Sequence, residues 1–216
     1  MVTTRNIDDV LRRLTRLIRQ WKEPVVGHYK DDPFATLISC LLSLRTQDAT
    51  TLAASERLFR LARTPQAMLQ LSTATIERAI YPVGFYKTKA RTLHHVCRTL
   101  IDRYEGRVPD ELDELLTIKG VGRKTANLVI TLAFRKPGIC VDTHVHRISN
   151  RWGYVRTKTP EQTEMALRRK LPARHWIMLN DLLVTFGQNL CHPTSPWCSR
   201  CPLTRECAKT GVRHSR

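Results

Sequence analysis

Residues Phe34–Leu44, FATLISCLLSL, constrain this chain more than any other segment. They carry no charge and are apolar on every side. Asp32-Pro33 stands in front of them as a helix cap followed by a proline at the first helical position. A helix with no polar face has nothing to offer water, so other elements must enclose it. The rest of the chain supplies helices to do so. Val10, Leu11, Leu14, Leu17, Ile18 and Trp21 recur at helical spacing. Further helices are expected over Ala49–Ala62, after the caps at Thr64 and Ser72, and over Lys87–Tyr104, where Ala90, Leu93, Val96, Cys97 and Leu100 form one stripe ending at Gly106. Others are expected over Pro109–Leu116, Arg123–Phe134 and Thr143–Trp152, after the capping box at Thr159–Gln162, and over His175–Leu190. No stretch alternates convincingly with a period of two. The expected fold is all-α.

Composition narrows the partner. Lys and Arg number 36 against 19 Asp and Glu, a formal charge of +17, which points to a polyanion and above all to nucleic acid. A hydrophobic fraction of 42% excludes a disordered tail protein. No run of eighteen apolar residues is present, and the start, MVTTRNIDDV, lacks the apolar core of a signal peptide. The cell interior is therefore the expected location. Cys40, Cys97 and Cys140 sit singly in apolar or helical stretches and read as small buried hydrophobes. Cys191, Cys198, Cys201 and Cys207 follow the pattern C-x6-C-x2-C-x5-C. Without a secretion signal these four read as metal ligands rather than a disulfide framework. Zinc and an iron–sulfur cluster both accept four thiolates.

The segment Leu115–Ala126, LLTIKGVGRKTA, reads as a short helix, a tight turn with two glycines, and a second helix. Glycines permit positive φ and close backbone approach, and the new helix offers its N–H groups to an anion. Such a hairpin would hold DNA through its backbone without reading sequence. Lys119, Arg123 and Lys124 flank it. Lys124 lies in the first turn of the second helix, where a primary amine is either a solvated charge or a nucleophile. Asp142, eighteen residues later, heads its own helix in VDTHVHR and is at least an N-cap.

The strings KGVGRKTANLVITLAF and VDTHVHRISNRW, with the cysteine tail, resemble the endonuclease III family. These are helix–hairpin–helix base-excision DNA glycosylases carrying a 4Fe-4S cluster. The resemblance runs from about Asp32 to Cys207. It implies a six-helix barrel domain over residues 26–136, with the hairpin at about 112–130. It implies a second helical domain from residues 1–25 and 137–216, with the cluster loop at 191–207. Lys124 matches the family's catalytic lysine and Asp142 its catalytic aspartate. Cys191, Cys198, Cys201 and Cys207 match the cluster ligands, so the resemblance favours the cluster over zinc. Gly120, Val121, Gly122, Arg123 and Thr125 fall on the DNA-holding hairpin, and His144 resembles a pocket residue.

The implied activity is removal of oxidised pyrimidines from double-stranded DNA, followed by cleavage of the abasic strand by β-elimination through a lysine Schiff base. The implied protein is a monomeric, cytoplasmic, nucleoid-associated enzyme acting on damaged or abasic sites. Two departures bear on specificity. Where relatives carry Gln in S-x-Q-x-T-D, this chain reads SLRTQD, with Arg45 at that register and Gln47 two places on. Phe85 stands where an aliphatic wedge is usual, and reads either as a base-stacking aromatic or as core. Two other readings stay open: a uracil or thymine mismatch glycosylase acting opposite guanine, and a non-catalytic helix–hairpin–helix DNA-binding module.

Overall fold

A computed structural model describes residues 1–21 and 28–216. All regular structure among the described residues is helical. Two compact units arise, one from Met1–Pro24 with Pro137–Arg216, the other from Val25–Lys136. The boundary expected at residues 25 and 26 lies outside the described residues. None of the helices described is long and apolar enough to cross a membrane.

The second unit holds α2 (Pro33–Ser43), α3 (Asp48–Leu61), α4 (Pro65–Gln70), α5 (Thr73–Ile80), α6 (Tyr86–Tyr104), α7 (Leu112–Thr117) and α8 (Arg123–Leu132). Its centre is α2, in which every residue from Phe34 to Leu42 is buried. Helices α3, α6 and α8 pack against it, α4 and α5 lie on α6, and α7 lies on α8. Three starts are set by side chains that accept from the third residue on: Asp32 from the Ala35 N–H at 2.9 Å, Thr64 from Ala67 at 3.1 Å and Ser72 from Thr75 at 3.1 Å. Leu37 is fully buried in the core of this unit. Leu37→Ala should cost about 2–5 kcal/mol, because the enclosed helix cannot collapse into the cavity left behind. A lowered urea midpoint with an unchanged slope checks this.

The first unit holds α1 (Ile7–Ile18), α9 (Thr143–Arg151), α10 (Pro160–Lys170) and α11 (Trp176–Asn189), followed by a cysteine-bearing C-terminal segment. Helix α11 is the spine, packed by α1 and α9, and α10 lies on α9. Its core joins Val10, Leu11 and Leu14 to Val145, Ile148, Leu183 and Phe186. Long-range polar contacts tie its ends together. Asp8 accepts from Arg174 at 2.7 Å and pairs with His175, and these two neighbours hold its carboxyl below the usual range.

Two helix starts differ from the sequence reading by three residues. Helix α1 begins at Ile7 rather than Val10. Helix α7 begins at Leu112 rather than Pro109, because Lys136 reaches back to Asp110 at 2.8 Å and Glu111 at 2.5 Å, and Glu111 stays extended.

Candidate functional site

Helices α7 and α8 are joined by a turn anchored on both sides. Ile118 and Val121 are buried, and the Val121 N–H donates to the Ile118 carbonyl at 2.9 Å. Gly120 between them has φ +99°, and a Cβ there would come within 2.6 Å of the Thr92 methyl on α6. Both the backbone angle and the space require glycine. Gly122 is the N-cap of α8 and brings no capping side chain, and a Cβ there would meet nothing within 4 Å. The positive end of α8 is thus approachable. Lys124 lies partly exposed in its first turn, beside Arg123. The side chains of Val121 and Thr125 face inward, so these two residues can meet a phosphate only through the backbone.

The same unit brings Arg45, Gln47 and Phe85 into neighbouring turns. Arg45 and Gln47 are exposed in the α2–α3 loop. Phe85 is 63% exposed before α6, which excludes the core reading. Arg45 and Phe85 both have left-handed backbone, φ +53° and +59°, an uncommon state for residues with a side chain. The Arg45 guanidinium lies 5.7 Å from the centre of the Phe85 ring. Behind them sits Lys89, which is only 9% exposed and which the sequence reading passed over. A signal for it existed: Lys89 is four residues before Leu93, on the apolar stripe of its helix.

In the first unit Asp142 is the N-cap of α9. Its Oδ1 accepts from the His144 N–H at 2.8 Å and the Val145 N–H at 2.9 Å. The His144 ring meets Arg147 Nη2 through Nδ1 at 3.1 Å. Lys124 and Asp142 thus belong to different units.

All four C-terminal cysteines line one small cavity, walled by Trp152, Phe186, Leu190 and Trp197. Burial pushes the Cys201 thiol up to about 11 and raises Cys191 and Cys207. Bare thiolates would be costly there, whereas sulfur bound to a cationic centre would not. Two donors already face the sulfurs: Arg151 Nη1 at 3.2 Å from Cys191 Sγ, and the Lys209 N–H at 3.3 Å from Cys207 Sγ. Among the described residues no three His, Cys, Asp or Glu side chains are placed to hold a single metal ion. Four thiols lining one cavity match the donor number of a group held by four thiolates. Arg151, buried and unremarked in the sequence reading, also donates to the His192 and Pro193 carbonyls at 2.8 and 3.1 Å. Its register was a signal too, three residues after Ile148 and beside Trp152. Trp197 carries a guanidinium on its ring from Arg200 at 4.7 Å and from Arg216 at 4.9 Å. The loop HPTSPW at residues 192–197 has no Lys or Arg, and these two arginines place charge beside it.

Two helices joined by a glycine hairpin, with cations in the first turn of the second, define a helix–hairpin–helix protein. The chain belongs to the HhH-GPD superfamily of base excision DNA repair proteins, whose family model matches residues 38–173. It is 47% identical over 181 residues to Endonuclease III of Thermotoga maritima, covering 84% of this chain and 85% of that one. It is 42% identical over 183 residues to Endonuclease III homolog 1, chloroplastic, of Arabidopsis thaliana, covering 81% of this chain but about half (48%) of the longer plant protein. Its structure is similar to that of endonuclease III in a trapped covalent intermediate with DNA, an estranged-adenine complex. That similarity has a TM-score of 0.87 and 35% identity and covers 97% of each chain.

Proposed function

We propose that this protein is a base-excision DNA glycosylase and abasic-site lyase acting on damaged pyrimidines in double-stranded DNA. One observation carries the reading: in a chain of this family, Lys124 stands in the first turn of α8 directly behind the Gly120–Gly122 hairpin. A glycosylase that relies on water alone has no use for an amine at that point.

In this mechanism the hairpin amides and Arg123 hold the backbone of the damaged strand, and a base turned out of the stack is presented to Lys124. Lys124 Nζ attacks C1′ of the sugar. The C1′–N bond breaks, and the base leaves with the bonding electrons and takes a proton. Asp142 receives the proton lost by the attacking amine and balances the positive charge that develops on the sugar. The sugar ring opens to an imine. Loss of a C2′ proton then expels the 3′ phosphate, and water hydrolyses the imine to return Lys124. Cys191, Cys198, Cys201 and Cys207 would hold a 4Fe-4S cluster, which supplies structural cross-linking of the C-terminal segment when bound. The similarity to a protein that forms a covalent intermediate with DNA favours an enzyme over a purely binding module.

The test uses duplexes bearing thymine glycol, an abasic site, or a G·U or G·T mismatch, with and without borohydride. Strand cleavage and a covalent complex trapped on thymine glycol are expected. Base release from the mismatches alone, with no trapped complex, would replace this reading with the mismatch glycosylase.

Arg45 keeps that second reading in view. It is exposed and lies where relatives commonly carry glutamine, and arginine pairs in bidentate fashion with guanine. Excision opposite guanine should exceed excision opposite adenine by about tenfold or more, the usual discrimination of one bidentate contact. Arg45→Gln should level the two rates. Equal rates in the wild-type protein would leave Arg45 with phosphate only.

A further inference from the structure

We propose that Lys89 is a positioning residue that assembles Arg45 and Phe85 into one preformed probe of the DNA stack. The inference rests on the DNA-repair reading above. Lysine is rarely buried unless it is satisfied, and Lys89 is 9% exposed. Its Nζ lies 2.7 Å from the Leu42 carbonyl, 2.6 Å from the Leu44 carbonyl and 3.1 Å from Thr46 Oγ1. Three N–H donors thus meet three acceptors, and the ammonium is fully used. The two carbonyls lie at the C-terminal end of α2, where helix carbonyls lack partners and a cation is favoured. Burial draws its pKa down to about 8, which leaves it charged at neutral pH.

The third acceptor links this helix end to a second turn. Thr46 Oγ1 also receives the Gly84 N–H at 3.2 Å, so one hydroxyl is shared by Lys89, the α2–α3 loop and the turn before α6. The closure is tight, since a Cβ on Gly84 would come within 2.6 Å of the Arg45 carbonyl oxygen. Only glycine lets these two backbones touch. Arg45 and Phe85 are the residues displayed outward by that closure. Left-handed backbone at two successive contact points persists only where the surroundings over-determine it, and here Lys89 is the buried charge beneath both. Without the ammonium, the Leu42 and Leu44 carbonyls and the Thr46 hydroxyl each lose a donor, and the loop is free to relax.

The test is a double-mutant cycle on thymine glycol excision, with 2-aminopurine opposite the lesion to report insertion by fluorescence. Lys89→Met should lower kcat/KM by up to about 100-fold, the scale of a misplaced contact, and should blunt the fluorescence rise. In an Arg45→Ala/Phe85→Ala background the same change should cost less than about twofold, because the groups it positions are already gone. Gly84→Ala, which prises the turns apart while leaving the ammonium in place, should reproduce both effects, and Thr46→Val should do so more weakly. These two variants carry the cycle if Lys89→Met does not fold. Equal cost in both backgrounds, or full activity and fluorescence in Lys89→Met, would overturn the proposal. A wild-type protein that releases no base and traps nothing counts against the enzyme reading alone. The fluorescence rise needs no chemistry and still decides the role of Lys89.

Discussion

Lys124→Gln should abolish borohydride trapping on both thymine glycol and abasic duplexes and reduce strand cleavage by about 1,000-fold or more, the scale on which losing a nucleophile disables an enzyme. Glutamine keeps the length of the stem and its packing in the first turn of α8, so the hairpin should stay in place. Affinity for undamaged duplex should fall only by the share of one phosphate contact, lowering the slope of log K against log salt by about one. Lys119→Gln supplies the control. This lysine lies exposed in the hairpin turn, and its loss should weaken binding by a similar amount while leaving trapping intact. Trapping that survives Lys124→Gln would remove the Schiff base from the mechanism. Asp142 can be dissected in the same assay. Asparagine retains an oxygen for the His144 and Val145 amides, so Asp142→Asn should melt near the wild type while cleaving slowly. Asp142→Ala should lose the cap as well, about 1 kcal/mol.

Cys201→Ser is expected to be at least as damaging to stability as Lys124→Gln is to activity. Its thiol is partly buried in the cavity lined by all four C-terminal cysteines, and the helical structure around it after α11 is limited to a single short turn at Cys198–Arg200. A segment with so little regular structure of its own depends on cross-links, and binding at a structural metal site is folding free energy, on the order of 10 kcal/mol. The serine variant should lose the visible absorbance of a cluster, become protease-sensitive after Leu190, and melt earlier. Cys97→Ser is the matching control. Cys97 is buried in the core of the second unit, where burial pushes its thiol up to about 12, and serine there should cost only the burial of one hydroxyl. Retained absorbance and an unchanged melt in Cys201→Ser would exclude it as a ligand.

What could be read from residues, and what could not, divides by range. Asp32, Thr64, Ser72, Asp142 and Thr159 all cap helices in the structure, because a cap is a contact across three residues and is written locally. The enclosed α2 was legible for the same reason, since a sequence without a polar face leaves no alternative. The start of α7 was not. Pro109 reads as a first helical position, but Lys136, more than twenty residues on, holds Asp110 and Glu111 extended. In α1 the buried apolar face reaches back past Val10 to Ile7, and the two aspartates that follow Ile7 obscured the start. The hairpin and the four cysteines carry spacings that chemistry recognises, so their identity as candidate groups could be stated in advance. Lys89 and Arg151 could not be recognised by residue type, because a buried cation looks like a surface one until its acceptors are known. Each nevertheless falls on the apolar register of its helix, which is where a search for buried charges should begin.

The enclosure of α2 also governs how the second unit opens. An amide in the middle of that helix reaches solvent only when the surrounding helices separate, so its exchange with deuterium follows unfolding of the whole unit rather than local fraying. The amides of Leu37, Ile38 and Leu41 should therefore be among the slowest in the protein, and their rates would read the stability of the hairpin-bearing unit separately from that of the cysteine-bearing one.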